Sequence, residues 1–303
     1  MKKLGIFISG GATKIAFLAG VVYTFLQRIA KQPVTVTTYV GTSSGFILAV
    51  FFAMGKYSTV LKYMPIYTLK MIFGVDPDTR IGQLTIVRNF MQKKKRRLGL
   101  LEYKGLKKIL EKEIVQSDLD AYKKSELPDC WGGVVDIETL EELYYNVKDI
   151  EKVEDLHKLI LASASIPFAS PYQELFGRYL YDGGLRAHNG IGWAMDNLKG
   201  FDYALSVYSR SNHLRDYKSK LENKWGWLFG RVNASMTLDM SFEDSAKSKE
   251  KAEEKGIKLK EVFAPERLQH KTFEASKDGN LDMLKKGKRQ AQIINLKGFF
   301  DLS

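Results

Sequence analysis

Through Gly55 the chain alternates short apolar runs with helix-length apolar stretches. Leu4-Gly5-Ile6-Phe7-Ile8 is a compact apolar run ended by Ser9-Gly10-Gly11. From Thr13 to about Arg28 apolar residues recur at helical spacing. Val34 to Val40 alternates Val and Thr, a β-rich pattern that breaks at Gly41. Beyond Ser44, Phe46-Ile47-Leu48-Ala49-Val50-Phe51-Phe52 is apolar on every side and predicts a buried helix ending near Gly55. Strand, helix, strand, helix at this spacing predicts an α/β fold, a parallel sheet with helices on its faces.

Residues 57–125 predict uneven helix. Tyr57 to Gly74 mixes aromatics, Met and Ile with Lys62 and Lys70 and is interrupted by Pro65, whereas Glu102 to Val115 is basic and amphipathic. Gly132 to Ile137 predicts a further sheet strand, with Leu143 to Val147 pairing antiparallel to it. A helix from Val153 to Ser163 leads into Ile166-Pro167, and short strands follow at Tyr179-Leu180-Tyr181 and Tyr203 to Val207. From about Ser211 the chain turns polar, charged and mostly helical, with a turn signal at Asp278-Gly279-Asn280. No internal repeat is visible. The simplest division is a catalytic core over 1–210 and a helical C-terminal part over 211–303, packed on the same domain.

Composition narrows the compartment and the partner. Cys130 is the single cysteine, so no intramolecular disulfide can form, as a reducing cytoplasm permits. The longest apolar stretches, Ile15 to Leu26 and Phe46 to Met54, fall short of the roughly 18–20 residues of a membrane span. The N-terminus superficially resembles a signal peptide, but Gly10-Gly11 and Lys14 interrupt it, and it reads as a buried first strand. A net charge of +12 favours polyanions, either nucleic acid or an anionic membrane surface. Nothing resembles a zinc finger, a helix-turn-helix or an RNA-binding strand.

Three motifs carry candidate chemistry. Gly41-Thr42-Ser43-Ser44-Gly45 fits G-x-S-x-G between a β-rich run and a buried helix. A serine on such a turn presents its hydroxyl at the sheet edge, and the helix N-terminus behind it favours developing negative charge. Ser9-Gly10-Gly11-Ala12-Thr13-Lys14 opens the first helix and can aim backbone N–H groups at an oxyanion, or simply make a tight turn. It completes neither a P-loop nor G-x-G-x-x-G. Tyr181-Asp182-Gly183-Gly184 places a carboxylate at a strand end, although Asp-Gly alone reads as an ordinary turn. His157, His188, His213 and His270 are scattered, without the spacing of a metal site. Neither a catalytic histidine, a metal nor another cofactor is expected.

In order, these pieces resemble the patatin-like phospholipase family. Its glycine-rich oxyanion loop, G-G-G-x-[K/R]-G, corresponds to Gly10 through Ile15, its elbow to Gly41 through Gly45, and its D-G-[G/A] to Asp182-Gly183-Gly184. Ala162-Ser163-Ala164-Ser165-Ile166-Pro167-Phe168 resembles the segment preceding the dyad strand, and Gly20-Val21 falls where the family's first helix has it. Ala12 and Ile15 depart from the loop, and Asn189-Gly190-Ile191 lacks the proline of Asn-x-Pro. The resemblance implies a three-layer α/β/α fold with a central, mostly parallel sheet. It implies a phospholipase A or lysophospholipase reaction through a Ser43–Asp182 dyad, with an oxyanion hole from the N–H groups of Gly10, Gly11, Ala12 and Ser44.

The substrate so implied is a membrane phospholipid or lysolipid, met by a cytoplasmic protein in peripheral contact with an anionic membrane. Export without a signal peptide stays open, as does a homo-oligomer. A docking face is expected at Lys93-Lys94-Lys95-Arg96-Arg97 together with Tyr63 to Tyr67 or Trp225-Gly226-Trp227-Leu228-Phe229. The runner-up is a catalytically weak or inert lipid-binding protein that keeps the fold, motivated by Ala12. Binding of nucleic acid is not expected, because it leaves the ordered motifs unexplained.

Overall fold

A computed structural model describes residues 1–74, 79–82, 84–85, 99, 102–167, 169–212, 241–265, 268 and 276–302. The strands are β1 (Lys2–Ile8), β2 (Val34–Thr42), β3 (Asp129–Asp136), β4 (Glu142–Asn146), β5 (Gln173–Leu175), β6 (Arg178–Asp182), β7 (Tyr203–Val207) and β8 (Lys258–Val262). The helices are α1 (Ile15–Ile29), α2 (Ser44–Ala53), α3 (Tyr57–Tyr63), α4 (Leu69–Phe73), α5 (Lys104–Glu113), α6 (Gln116–Lys123), α7 (Val153–Ser163), α8 (Ile191–Asn197), α9 (residues 241–254), α10 (Lys277–Gln292) and α11 (Leu296–Phe300).

The strands form one eight-stranded sheet of order β5-β6-β3-β2-β1-β7-β8, with β4 also paired to β3. The β1–β2, β1–β7, β2–β3 and β7–β8 ladders are parallel; β3–β4, β3–β6 and β5–β6 are antiparallel. Side-chain alternation along β1 splits the core in two. Leu4, Ile6 and Ile8 join a cluster with Phe17, Val21 and Phe25 of α1 and the apolar faces of α2, α7 and α10. Phe7 points the other way, into a cluster with Val40 of β2 and with Ile191, Ala194, Met195 and Ala252 from α8 and α9. Helices therefore cover both faces of a mostly parallel sheet, giving an α/β/α sandwich. α2 is buried at all 10 residues, which is why its sequence shows no polar face.

The chain beyond residue 210 does more than add helices. Lys258–Val262 extends the sheet at β7, its exposed Lys258 and Lys260 alternating as an edge strand requires. That charged alternation hides it from a search for apolar runs. α10 lies against α1 where two glycines meet. A Cβ on Gly20 would stand 2.4 Å from the Leu284 carbonyl oxygen, and one on Gly287 would stand 2.2 Å from that of Phe17.

Gly287→Ala separates propensity from packing. In a free helix the change stabilises by about 1 kcal/mol. Here the backbones must part, at a cost of about 1–3 kcal/mol. Urea unfolding is expected to show a lower midpoint than wild type.

Candidate active site

β2 ends at Thr42 and α2 begins at Ser44, so Ser43 must reverse the chain within one residue. It does so at φ 57° and ψ −131°, a left-handed conformation unfavourable for a residue with a side chain. The flanking glycines exist because neighbouring backbone occupies the space of their side chains. A Cβ on Gly45 would lie 2.2 Å from the Ile8 carbonyl oxygen, and one on Gly41 would lie 2.6 Å from that of Gly45. Ser163, at the end of α7, clamps the turn. Its hydroxyl accepts from the Ser43 N–H at 2.9 Å and donates to the Gly133 carbonyl at 2.7 Å, tying elbow to β3.

Strand register brings the carboxylate to the serine. β4 covers one edge of β3 from Trp131 to Val135, so β2 and β6 share the opposite edge. There Thr42 pairs with Gly133, and Asp182 pairs with Val134, the next residue along. The end of β6 thus meets the end of β2. The Ser43 hydroxyl lies near enough to the Asp182 carboxylate to oppose the rise in its pKa. The Gly184 N–H donates to the same carboxylate at 2.8 Å, and the Asp182 N–H donates to the Ser165 carbonyl at 3.0 Å. Burial raises the Asp182 pKa to about 7, against the opposing pull of the Ser43 and Gly184 donors. A carboxyl held there accepts a proton readily near neutrality.

The glycine-rich loop lies against the elbow. A Cβ on Gly10 would approach that of Ser43 at 3.0 Å, so only glycine leaves the hydroxyl clear. The loop hangs from β7 through Ser209, whose N–H donates to Ser9 Oγ at 3.0 Å and whose hydroxyl donates to the Gly10 carbonyl at 2.7 Å. One expected donor is otherwise engaged: the Gly10 N–H points to the His188 carbonyl at 3.0 Å. Gly10 therefore supplies clearance rather than an oxyanion bond. Ala12 sits at φ 47°, the region where a third glycine would be unstrained.

Tyr103 adds a wall that sequence reading did not place. It stacks on Phe73 with ring centroids 5.1 Å apart, and its hydroxyl donates to the Ala164 carbonyl, in the segment that carries Ser165. Of the described histidines, His157 meets the Ile114 carbonyl through Nε2 at 3.0 Å. The His188 ring is buried without a hydrogen-bond partner, and burial, with the charges of Arg210 and Lys14, holds its pKa well below the usual imidazole value. His213 and His270 lie outside the described residues, as do Phe168, Lys93 to Arg97 and Trp225 to Phe229. The Tyr63–Tyr67 stretch is a poor docking face, because Met64 and Tyr67 are buried and Ile66 alone of the large apolar residues is exposed. Among the described residues no three His, Cys, Asp or Glu cluster as metal ligands, and no helix is long and apolar enough to cross a membrane.

Comparison with known proteins gives the site a context. The family model "Patatin-like phospholipase" matches residues 6–195, more than half of the chain. No curated protein matches. Among solved structures, VipD from Legionella pneumophila aligns at 12% identity and a TM-score of 0.46, over 99% of this chain and 66% of that one. The complex of full-length SpcU with full-length ExoU, from the type III secretion system of Pseudomonas aeruginosa, aligns at 12% identity and a TM-score of 0.32. There the match covers 83% of this chain and 52% of that one, so this chain spans only part of each counterpart's length.

Removing the clamp tests whether Ser163 holds the elbow. Ser163→Ala leaves the Ser43 N–H and the Gly133 carbonyl buried without that partner. A loss of about 1–3 kcal/mol is expected in denaturant unfolding. Ser163→Thr, which keeps the hydroxyl, is expected to recover part of it.

Proposed function

Because the chain belongs to the patatin-like phospholipase family, we propose that it hydrolyses fatty-acyl esters of membrane phospholipid or lysolipid through Ser43 and Asp182. The observation that carries the reading is the meeting of Ser43, on a strained elbow at the end of β2, with the buried Asp182 at the end of β6. Asp182 takes the Ser43 proton as Oγ bonds to the ester carbonyl carbon. The tetrahedral intermediate collapses, the ester C–O bond breaks, and Asp182 returns the proton to the departing lysolipid or alcohol. Water then attacks the acyl-enzyme with Asp182 again as base, releasing the fatty acid.

The N–H groups of Gly11, Ala12 and Ser44 supply the oxyanion hole, each well-placed donor contributing ~3–4 kcal/mol to the transition state. Ser44 opens α2, whose dipole adds to that stabilisation. No metal or organic cofactor is required by this scheme. The +12 charge suits peripheral contact with anionic lipid, at ~1 kcal/mol per cation near the surface.

The left-handed Ala12 favours a second reading, an inert site that still binds lipid. A fluorophosphonate probe separates the two, since covalent labelling of Ser43 requires an activated hydroxyl. Labelling of wild type and not of Ser43→Ala supports the enzyme.

Hydrolysis of mixed anionic phospholipid vesicles tests the function directly. Wild type is expected to release fatty acid, and Ser43→Ala and Asp182→Asn to lose at least about 1,000-fold in kcat. The base works only when ionised, so kcat/KM should fall about tenfold per pH unit below about 7. The stability effect has the opposite sign. A folded pKa raised above its unfolded value favours the fold at low pH, and that advantage is lost as pH rises through about 7. Asp182→Asn should therefore melt above wild type at pH 8 and lose this advantage by pH 4.

A further inference from the structure

Two hydrogen bonds connect α9 to the glycine-rich loop across the turn that follows Asp182. The Asp244 carboxylate accepts from the His188 N–H at 2.5 Å, and the His188 carbonyl accepts from the Gly10 N–H at 3.0 Å. Gly10 in turn packs against Ser43, where a Cβ would find the serine Cβ at 3.0 Å. One peptide segment thus joins a carboxylate on α9 to the loop beside the nucleophile.

The far end of this relay is fixed. Ala252 buries α9 in the cluster with Ile191, Ala194 and Met195. Lys251 pairs with Asp196 of α8 and donates to the Gly192 carbonyl at 3.3 Å, and Lys255 reaches Asp196 at 3.6 Å. Lys249 pairs with Glu261 of β8 at 3.0 Å. α9, which carries Asp244, is therefore held by packing on one side and by ion pairs to α8 and β8 on two others.

We propose that Asp244 is a positioning residue for the oxyanion loop: through the His188 peptide it orients Gly10, and with it the Gly11 and Ala12 N–H groups. The inference rests on the hydrolase reading of that loop. Its chemistry is economical. A carboxylate buried this far is costly to keep charged, and its pKa is raised to about 6 by burial, with Glu142 and Glu243 adding to the rise and Lys247 opposing it. A charge-assisted bond to a backbone N–H is shorter and about twice as strong as a neutral one, and it fixes the 187–188 peptide, which adjoins at the His188 Cα the peptide whose carbonyl Gly10 meets. Holding that backbone matters here because Ala12 disfavours the conformation its own loop adopts. External orientation replaces the freedom a third glycine would bring.

Asp244→Ala and Asp244→Asn test the relay, with vesicle hydrolysis and amide hydrogen exchange measured on each folded variant. Asp244→Ala is expected to lower kcat roughly 10- to 100-fold with KM within about twofold, and to speed exchange at Gly10 and His188. Asp244→Asn keeps a carbonyl acceptor, so it should recover most of the rate and of the protection. Wild-type kcat and unchanged Gly10 exchange in Asp244→Ala overturn the proposal. So does an Asp244→Asn variant as impaired as the alanine while melting like wild type. If wild type releases no fatty acid, the hydrolase reading fails, and exchange at Gly10 and His188 alone still decides whether Asp244 orients the loop.

Discussion

The constraint on which the site depends is the left-handed backbone at Ser43. Holding a residue with a side chain at φ 57° and ψ −131° costs on the order of 1–3 kcal/mol, and the turn persists only because its surroundings over-determine it. β2 is paired on both edges up to the turn, by β1 and by β3. α2 takes up the Ser43 carbonyl through the Phe46 N–H at 3.0 Å, and Ser163 takes up the N–H. Every unusual glycine nearby follows from this packing. Gly45 makes room for the carbonyl oxygens of Ile8 and Ser9, and Gly10 for the serine itself. The strained turn is thereby converted into a projecting hydroxyl with little freedom to relax, the preorganisation that an acyl transfer needs.

The second requirement is a dry base, and the same sheet meets it. β3 runs on past the end of β2, and the residues by which it does so, Val134 to Asp136, are those that pair with β6. Ser43 and Asp182 are therefore brought together by a change of partner along one strand edge. At that junction the carboxylate is buried among Ser43, Gly184 and the Ser165–Ile166 segment, which Tyr103 closes from outside. Burial that destabilises the charged carboxylate also makes it a stronger base, so in the proposed reaction the stability given up at neutral pH is what the chemistry gains.

How much of this was visible in the sequence depends on range. The elbow is local: a Val/Thr run, a glycine, a serine and an all-apolar helix stand within one stretch, and both flanking elements form where the pattern puts them. Asp182 was legible only in company, because Asp-Gly alone describes any turn, and its proximity to Ser43 comes from a register between distant strands. Ser163 stood in a recognised stretch, yet nothing in Ala162-Ser163-Ala164 says that its hydroxyl bridges two strands. Ser209 and Tyr103 carried no signal, since each acts through bonds to residues far away in the sequence. β8 was missed because its alternating lysines read as surface helix, and β5 because three residues are too few for a period.

The loop shows why motif departures cannot be judged position by position. Ala12 adopts the left-handed conformation that argues for glycine, so its side chain stands there under strain. Holding that conformation requires anchors on both sides of Ala12. Upstream, Ser209 holds the Gly10 carbonyl and His188 its N–H, which fixes the peptide entering the loop. Downstream, the Lys14 N–H closes on the Gly11 carbonyl at 2.9 Å and α1 starts at once, buried against the sheet. A residue that disfavours its conformation by ~1–2 kcal/mol is therefore carried by a core whose individual large side chains contribute about as much each. The anchors upstream come from β7 and from the turn after Asp182, parts of the chain that no loop motif includes. The loop's geometry is thus a property of the whole sandwich.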